Sequence, residues 1–434
     1  MSTVEQPQPT QVASGCPVAH DFDPFDGTPA AFFEQARQER PVFWHDAINA
    51  YVLTRYEDCK QLLGDRTGKV SANAALMGHL NVPPMPEAMQ ILQESGFEFG
   101  TSIVDEDGEE HKLHRGATQP PFSPARVKPL TDFIRRQVTE RLDAVINEGR
   151  VDMVDAMIYE VPATVILHMM GVPDDQLGMV KGFRGPWAIF IWGNPDEQVQ
   201  LDTARMMGGF GQWARSIVQD RKANRGEDII SETITNLENK GELESSRMFL
   251  DSYTLNVVMA GHETTTNSAA GGLLELLRNP EQYRALVEDP SLIPNATEEI
   301  LRYCTGVPTW RQRVLEDMEF QGVTIPANSV VYAAINSANR DETVFGDDAE
   351  TFDVRRDTAK KHITFGFGAH TCMGNHLAKL EINIMLEELT KRLPHLELVP
   401  DQEHIYSPNT SQRGPENVEV SWDPARNPVS ADSA

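Results

Sequence analysis

The segment Phe365-Gly366-Phe367-Gly368-Ala369-His370-Thr371-Cys372-Met373-Gly374 restricts this chain more than any other stretch. Three glycines crowd one cysteine, and a helical pattern of apolar residues, Ala378 to Leu393, begins just downstream. Glycine tolerates positive φ and lets the backbone come close to a flat ligand. The pattern predicts a tight loop that presents the sulfur at a helix N-terminus, where backbone N–H groups hold it as a thiolate. A lone cysteine is ordinarily a small core residue. The fixed spacing of Phe365, Gly368, Cys372 and Gly374 sets this one apart.

Composition narrows the rest. The 434 residues carry 65 acidic and 38 basic side chains, a net charge of −27. That charge argues against a general nucleic-acid binder, which needs clustered Lys and Arg. The four cysteines, at 16, 59, 304 and 372, are scattered and show no CxxC or Cys/His zinc spacing. A reducing, cytoplasmic setting is expected. The first twenty residues have neither a basic start nor an apolar run, so no signal peptide or anchor helix is expected. The apolar run Val161 to Met170 is interrupted by Pro162 and His168 and has the length of a core helix. With no linker or repeat, a single domain over 20–424 is expected, flanked by disordered tails at 1–19 and 425–434.

Helical spacing recurs over Pro124–Asn147, Asp152–Met170, Met206–Lys222, Met248–Arg278, Thr297–Tyr303 and Ala378–Leu393. Val42–Thr54 and Met318–Tyr332 read as hairpins, and Val418–Trp422 as a late strand. The class is mostly α with small β-sheets. Glu94 to Glu110 holds seven carboxylates and no Lys or Arg, the composition of a solvated loop.

A soft thiolate in a glycine-rich loop suits iron in a haem, where it pushes electron density toward O–O cleavage. The segment resembles the cysteine-ligand loop of the cytochrome P-450 superfamily at Phe365, Gly368, Cys372 and Gly374, and the resemblance runs over roughly residues 20 to 422. It implies a single triangular haem-thiolate fold and a haem b whose iron takes Cys372 as axial ligand. Phe365, Gly366 and Gly374 belong to the same cofactor loop.

Other family motifs follow in order. Ala260-Gly261-His262-Glu263-Thr264-Thr265 lies inside a long helical pattern, where Gly261 costs about 1 kcal/mol relative to Ala and Thr264 bonds back to a carbonyl. Such a local violation marks a functional site. By resemblance, Ala260 and Gly261 lie along the haem, Thr264 holds dioxygen or its water, and Glu263 relays protons. His262 reads as a satisfied core histidine. Glu299-Ile300-Leu301-Arg302 matches the family's ExxR. Glu34–Arg37, Glu275–Arg278 and Glu281–Arg284 share its spacing, so only its place in the chain singles it out. Its implied role is a buried structural pair, with Arg355 as third partner. His111, Arg115 and His370 are the implied partners of the haem propionates. A further arginine is expected where Gln312 stands. Arg311 is taken as its substitute, with Arg313 on the other side.

The implied activity is a haem-thiolate monooxygenase. It inserts one oxygen atom of O2 into an apolar, small-to-medium organic substrate, by hydroxylation or O-dealkylation. Alternatives on the same fold are a peroxide-driven peroxygenase and a non-enzymatic haem sensor. Family regions that wall the pocket fall at 76–99, 187–192, 257–260, 306–310 and 408–412, and point to Met85, Phe97, Phe99, Trp187, Phe190, Val307 and Trp310. The stretches SLIPNATEEILRY and EELTKRLPHLEL resemble haem domains of bacterial self-sufficient members. No flavin, nicotinamide or iron–sulfur fingerprint occurs in these residues. Electrons are therefore expected from a separate ferredoxin or flavodoxin with its NAD(P)H-dependent reductase. A basic island of Lys112, His114, Arg115, Arg126, Lys360, Lys361 and Lys379 would receive it. No membrane partner is expected.

Overall fold

Capping and proline placement explain why the helices begin and end where they do. The computed structural model describes residues 16–428 apart from 21, 28–29, 99, 174–175, 177 and 179–185. Phe99 and most of both expected tails lie outside that set. Within it, Val18–Ala19 forms a short strand and residues 424–426 a single turn of 3-10 helix.

The helices used below are α1 (Ala30–Glu39), α2 (Tyr56–Leu63), α3 (Pro86–Glu94), α4 (Gly108–Thr118), α5 (Thr131–Val145), α6 (Glu160–Met169), α7 (Pro186–Trp192), α8 (Glu197–Ala223), α9 (Ile229–Asn239), α10 (Arg247–Arg278), α11 (Pro280–Glu288), α12 (Ile293–Tyr303) and α13 (Asn375–Arg392). The pattern from Pro124 is broken at Pro129, leaving a short turn of helix before α5. Helix α8 starts earlier than its apolar pattern because Asp196 caps it, accepting the Val199 N–H at 2.8 Å. Asp228 caps α9 in the same way. Residues 154–158 wind as a π-turn ahead of α6.

The strands are β1 (Val18–Ala19), β2 (Val42–His45), β3 (Ala50–Leu53), β4 (Val70–Ser71), β5 (Arg150–Asp152), β6 (Trp310–Val314), β7 (Met318–Phe320), β8 (Val323–Ile325), β9 (Val330–Ala333), β10 (Glu397–Leu398) and β11 (Glu419–Ser421). They form a six-stranded sheet of order β1-β2-β3-β9-β6-β4, a three-stranded sheet β10-β11-β5 and the pair β7-β8. The hairpin over Val42–Thr54 is β2-β3, with Phe43 opposite Val52. The second hairpin is shorter than expected. It turns at Gln321–Gly322, both at positive φ. The Ile-Pro-Ala-Asn stretch instead carries the chain to β9, which joins β3 and β6 in the large sheet.

The large helical core gathers around α10, with α6 and α8 packed along it. Two close crossings require glycine. A Cβ at Gly261 would lie 2.7 Å from Ile166 of α6, and one at Gly272 would lie 2.6 Å from Ile300 of α12. Smaller apolar clusters cover the two faces of the six-stranded sheet.

Helix α12 is tied to the chain that follows it by a fully buried ionic cluster. Arg302 donates to both Glu299 oxygens at 2.7 Å and to the carbonyls of Asn339, Ala349 and Thr351. The third partner is Arg356, whose Nε reaches Glu299 Oε1 at 3.4 Å. Arg355, expected in that role, is exposed; successive residues in this turn point in different directions, and the turn aims Arg356 inward.

Candidate active site

The cysteine loop has the shape its glycines require. Gly366 and Gly368 sit at φ +71° and +82°, a region that penalises any Cβ. A Cβ on Gly368 would also stand 2.9 Å from Gly64 Cα, so the loop abuts the end of α2 backbone to backbone. The Cys372 N–H donates to Phe365 O at 2.8 Å and closes the loop. The sulfur accepts the N–H groups of Gly374 and Asn375 at the start of α13. Burial pushes the thiol up, while those N–H groups and the Arg115 charge pull it down. The residue is nonetheless exposed to water. Water reaches the residue while protein crowds its sulfur, the situation of a recessed thiol. Of the other three cysteines, Cys16 and Cys59 are buried and Cys304 is partly exposed, and burial pushes each thiol up.

Helix α10 supplies a second surface of the same kind. Val257, Val258, Met259, His262, Thr265 and Thr266 are buried, yet Ala260 between them is exposed and Thr264 is half-buried. Thr264 Oγ1 donates to Ala260 O at 2.8 Å. Gly261 does not face this surface alone, because its missing Cβ makes room for Ile166. His262 is a core residue: its Nε2 pairs with Tyr159 O at 3.1 Å. Thr266 reaches Ile158 O, so α10 side chains serve carbonyls at the end of the π-turn. Glu263 accepts the Trp187 indole N–H at 3.3 Å, linking the acid of the motif to α7.

Three cationic or imidazole groups gather beside the cysteine loop. The His111 and His370 rings stack at 4.0 Å. His111 Nε2 is buried with no partner. Burial lowers both imidazoles, His370 to about 4. Arg115 donates to Thr371 O and senses the Cys372 charge. A buried ring nitrogen without a partner, next to a guanidinium and a recessed thiol, fits an anionic cofactor edge above a thiolate-ligated metal.

Arg311 does not join this group. It is fully buried, and it donates to Ala74 O and Leu76 O at 2.6 Å and to Ile191 O at 3.0 Å. Arg313 likewise bonds Asn73, Asn328 and Gly78. Strand parity is the reason. In β6 residues 311 and 313 share one face, and 310 and 312 share the other. Arg311 thus spends its guanidinium on the carbonyls of Ala74, Leu76 and Ile191.

A cavity lies along the first half of α10. Its walls include Leu76, Met77, Ile191, Met207, Leu255 and Met259, the last adjacent to Ala260. Of the expected pocket residues, Phe97 lines it. Met85 packs with α3 and α8. Phe190 is core, Trp310 leans on Trp192 at 6.1 Å, and Val307 O accepts Thr305 Oγ1. The lining is less apolar than expected, because Glu98, Ser102, Asp105, Arg215, Asp251 and Asn256 share it.

The acidic run is not simply solvated. Glu106 is buried and bonds His114 Nδ1 at 2.8 Å; Asp107 accepts Ser71 Oγ and Ala72 N–H; Asp105 accepts Leu76 N–H at 2.9 Å. These acids moor the 71–76 stretch. His114 is therefore no part of a basic surface: it is buried and stacked on Phe249 at 3.6 Å. Lys112, Arg126 and Lys379 pair with Glu109, Glu232 and Glu298. Lys360 and Lys361 are exposed.

No helix among the described residues is long and apolar enough to cross a membrane. A family profile described as Cytochrome P450 matches residues 202–418. The steroid C26-monooxygenase of Mycobacterium tuberculosis (strain CDC 1551 / Oshkosh) is 32% identical over 69% of this chain and 79% of its own length. The P450 heme domain of Tepidiphilus thermophilus superposes with a TM-score of 0.89 at 35% identity, covering 94% of this chain and 98% of that one. An intact type IV self-sufficient cytochrome P450 monooxygenase superposes with a TM-score of 0.91 at 39% identity, over 98% of this chain and 56% of the longer one.

Proposed function

The chain belongs to the cytochrome P450 family of haem-thiolate monooxygenases, and from that premise we propose that Cys372 Sγ holds the haem iron and that the enzyme oxygenates a largely apolar organic substrate. The observation that carries this reading is the recessed Cys372 sulfur, which accepts two N–H groups from the start of α13. When bound, the haem activates dioxygen at its iron.

The chain's own residues bind, orient and deliver protons. The Gly374 and Asn375 N–H groups stabilise negative charge on sulfur. His111, Arg115 and His370 would pair with the propionates, giving His111 Nε2 the partner it lacks. Exposed Ala260 would leave room for the cofactor. Thr264 Oγ1, now donating to Ala260 O, would be free to turn toward bound dioxygen, and Glu263 would pass protons from its carboxylate oxygens. Glu299, Arg302 and Arg356 hold the chain behind the cofactor in place.

Hydroxylation, or O-dealkylation where the attacked carbon bears oxygen, is the proposed outcome. Electrons come from a ferredoxin or flavodoxin with its reductase. Support for that partner is the exposed pair Lys360–Lys361 and the exposed ring of Phe367, with Lys60 over its face at 5.1 Å.

The test is the carbon-monoxide difference spectrum of the reduced protein. The wild type gives the thiolate signature and Cys372→Ala loses it; an unchanged spectrum would overturn the assignment. A spin-state screen of terpenes, steroids, fatty acids and methoxy-aromatics, followed by NAD(P)H-coupled turnover with ferredoxin and reductase, identifies the substrate.

A further inference from the structure

The acid of the proton relay is bonded by a residue expected to line the substrate pocket. Trp187 is 4% exposed, and its indole N–H donates to Glu263 Oε1 at 3.3 Å. A buried indole N–H needs an acceptor. Two other tryptophans find theirs on the backbone: Trp192 bonds Ala75 O and Trp422 bonds Ile146 O, both at 2.9 Å. Trp187 instead gives its one donor to a side-chain carboxylate.

Helical spacing places that bond. On α10, Leu255 and Met259 line the cavity, and Glu263 stands one turn beyond Met259 on the same stripe. On α7, Ile191 lines the cavity, and Trp187 stands one turn before it. The two stripes meet again just past the cavity wall, beside the stripe that carries Ala260 and Thr264. The donor is firmly seated. Trp187 packs edge-on against Trp192 at 5.3 Å. The end of α7 is pinned by Trp192 Nε1 on Ala75 O, by the Thr410 N–H on Trp192 O at 3.1 Å and by Arg311 on Ile191 O at 3.0 Å.

A proton moves only across a hydrogen bond of about 2.6–3.2 Å, so a relay acid must keep one heading. A glutamate arm does not keep it alone, because freezing its rotamers costs entropy that a partner has to offset. We infer that Trp187 is the positioning residue of the relay: its N–H holds the Glu263 carboxylate in the place from which protons reach Thr264 and the oxygen site. The inference rests on the monooxygenase reading, which gives Glu263 its task, and deepens it. One short helix then carries both a residue that walls the cavity, Ile191, and the residue that sets the acid.

The carbon-monoxide complex of the reduced holoenzyme, made with isotope-labelled tryptophan, reads the bond by nuclear magnetic resonance. Trp187→Phe identifies the Trp187 indole N–H signal by its loss. Glu263→Gln should shift that signal and leave those of Trp213 and Trp422 in place, bonded as they are to Gln176 and Ile146. Benzothienylalanine in place of Trp187 keeps the bicyclic ring and replaces the N–H by sulfur. It should shift the infrared C–O stretch of the same complex, as Glu263→Gln and Trp187→Phe do, whereas a role in packing alone leaves the stretch at its wild-type position. With the strongest spin-shifting compound of the screen, product formed per NAD(P)H should fall at least about threefold in this variant, against a ceiling of about 100-fold for a misplaced reacting group. Its spin-shift affinity should stay within about twofold. Three results would overturn the inference: a Trp187 signal indifferent to Glu263→Gln, a C–O stretch unmoved by benzothienylalanine, or an unchanged product yield per NAD(P)H. Absence of the thiolate signature from the wild-type carbon-monoxide spectrum would instead sink the haem assignment, whereas the indole signal reports on the Trp187–Glu263 bond by itself.

Discussion

Replacing Glu299 by glutamine should destabilise the protein far more than the same change at Glu275, although both residues sit three before an arginine. Glu299 and Arg302 are both fully buried. The carboxylate accepts two bonds from Arg302 at 2.7 Å, one from the Asp353 N–H at 3.0 Å and one from Arg356 at 3.4 Å. Glutamine keeps the shape but withdraws the anion from two guanidinium groups and turns an NH2 toward their donors. Breaking a buried pair in this way costs about 3–5 kcal/mol. Arg302→Lys keeps the charge, yet three ammonium donors cannot replace five guanidinium bonds. At least two buried acceptors are left unpaired, at about 1–3 kcal/mol each. At Glu275 the partner Arg278 is half in water, and the loss stays below about 1 kcal/mol. Urea unfolding of the holoenzyme at pH 7 measures all three, with tryptophan fluorescence for the chain and visible absorbance for cofactor release. If Glu299→Gln fell within 1 kcal/mol of wild type, or Glu275→Gln proved as costly, the argument from burial would be refuted.

Three further outcomes are expected. Gly368→Ala combines positive φ with a Cβ 2.9 Å from Gly64 Cα; it should displace the cysteine loop and speed haem loss to apomyoglobin, whereas Gly322→Ala, at positive φ in open space, should not. Asp105 binds its proton more tightly folded than unfolded, so stability falls as pH rises from about 4 to about 7. Asp105→Asn should therefore gain on wild type by about 2–3 kcal/mol between pH 5 and pH 8 in urea unfolding, and equal pH profiles would contradict the burial of that carboxyl. Charge reversal at Lys360 and Lys361 should slow reduction by an acidic ferredoxin and flatten its salt dependence in stopped-flow measurements, more than reversal at Lys112, which Glu109 already pairs.

Where the determinants are local, the sequence is informative. The cysteine loop is specified within ten residues, because two positive-φ glycines and one helix start fix the sulfur's surroundings. The Gly-His-Glu-Thr-Thr segment is legible for the same reason: it breaks helix rules within its own turn. The mostly helical class follows from periodicities along the chain, and the order of motifs from the resemblance to the family.

What the sequence left open depends on pairing between distant segments. Which of positions 311, 312 and 313 share a face of β6 is set by its register against β9, where Arg311 stands opposite Tyr332. One residue of slip would reverse the faces, and composition does not encode it. Arg356 rather than Arg355 completes the buried cluster because of how one turn is aimed. The acidic run looked solvated because its partners, residues 71 to 76 and His114, are recognisable only once the chain has folded back on itself. The same folding brings Ser102, Asp105 and Asp251 to one wall. The sequence by itself determined the chemistry of the thiolate and the family it serves, because those constraints are short-range. Tertiary structure alone decided which charges face the cavity, because a side chain's direction and its loss of water are properties of the packed chain.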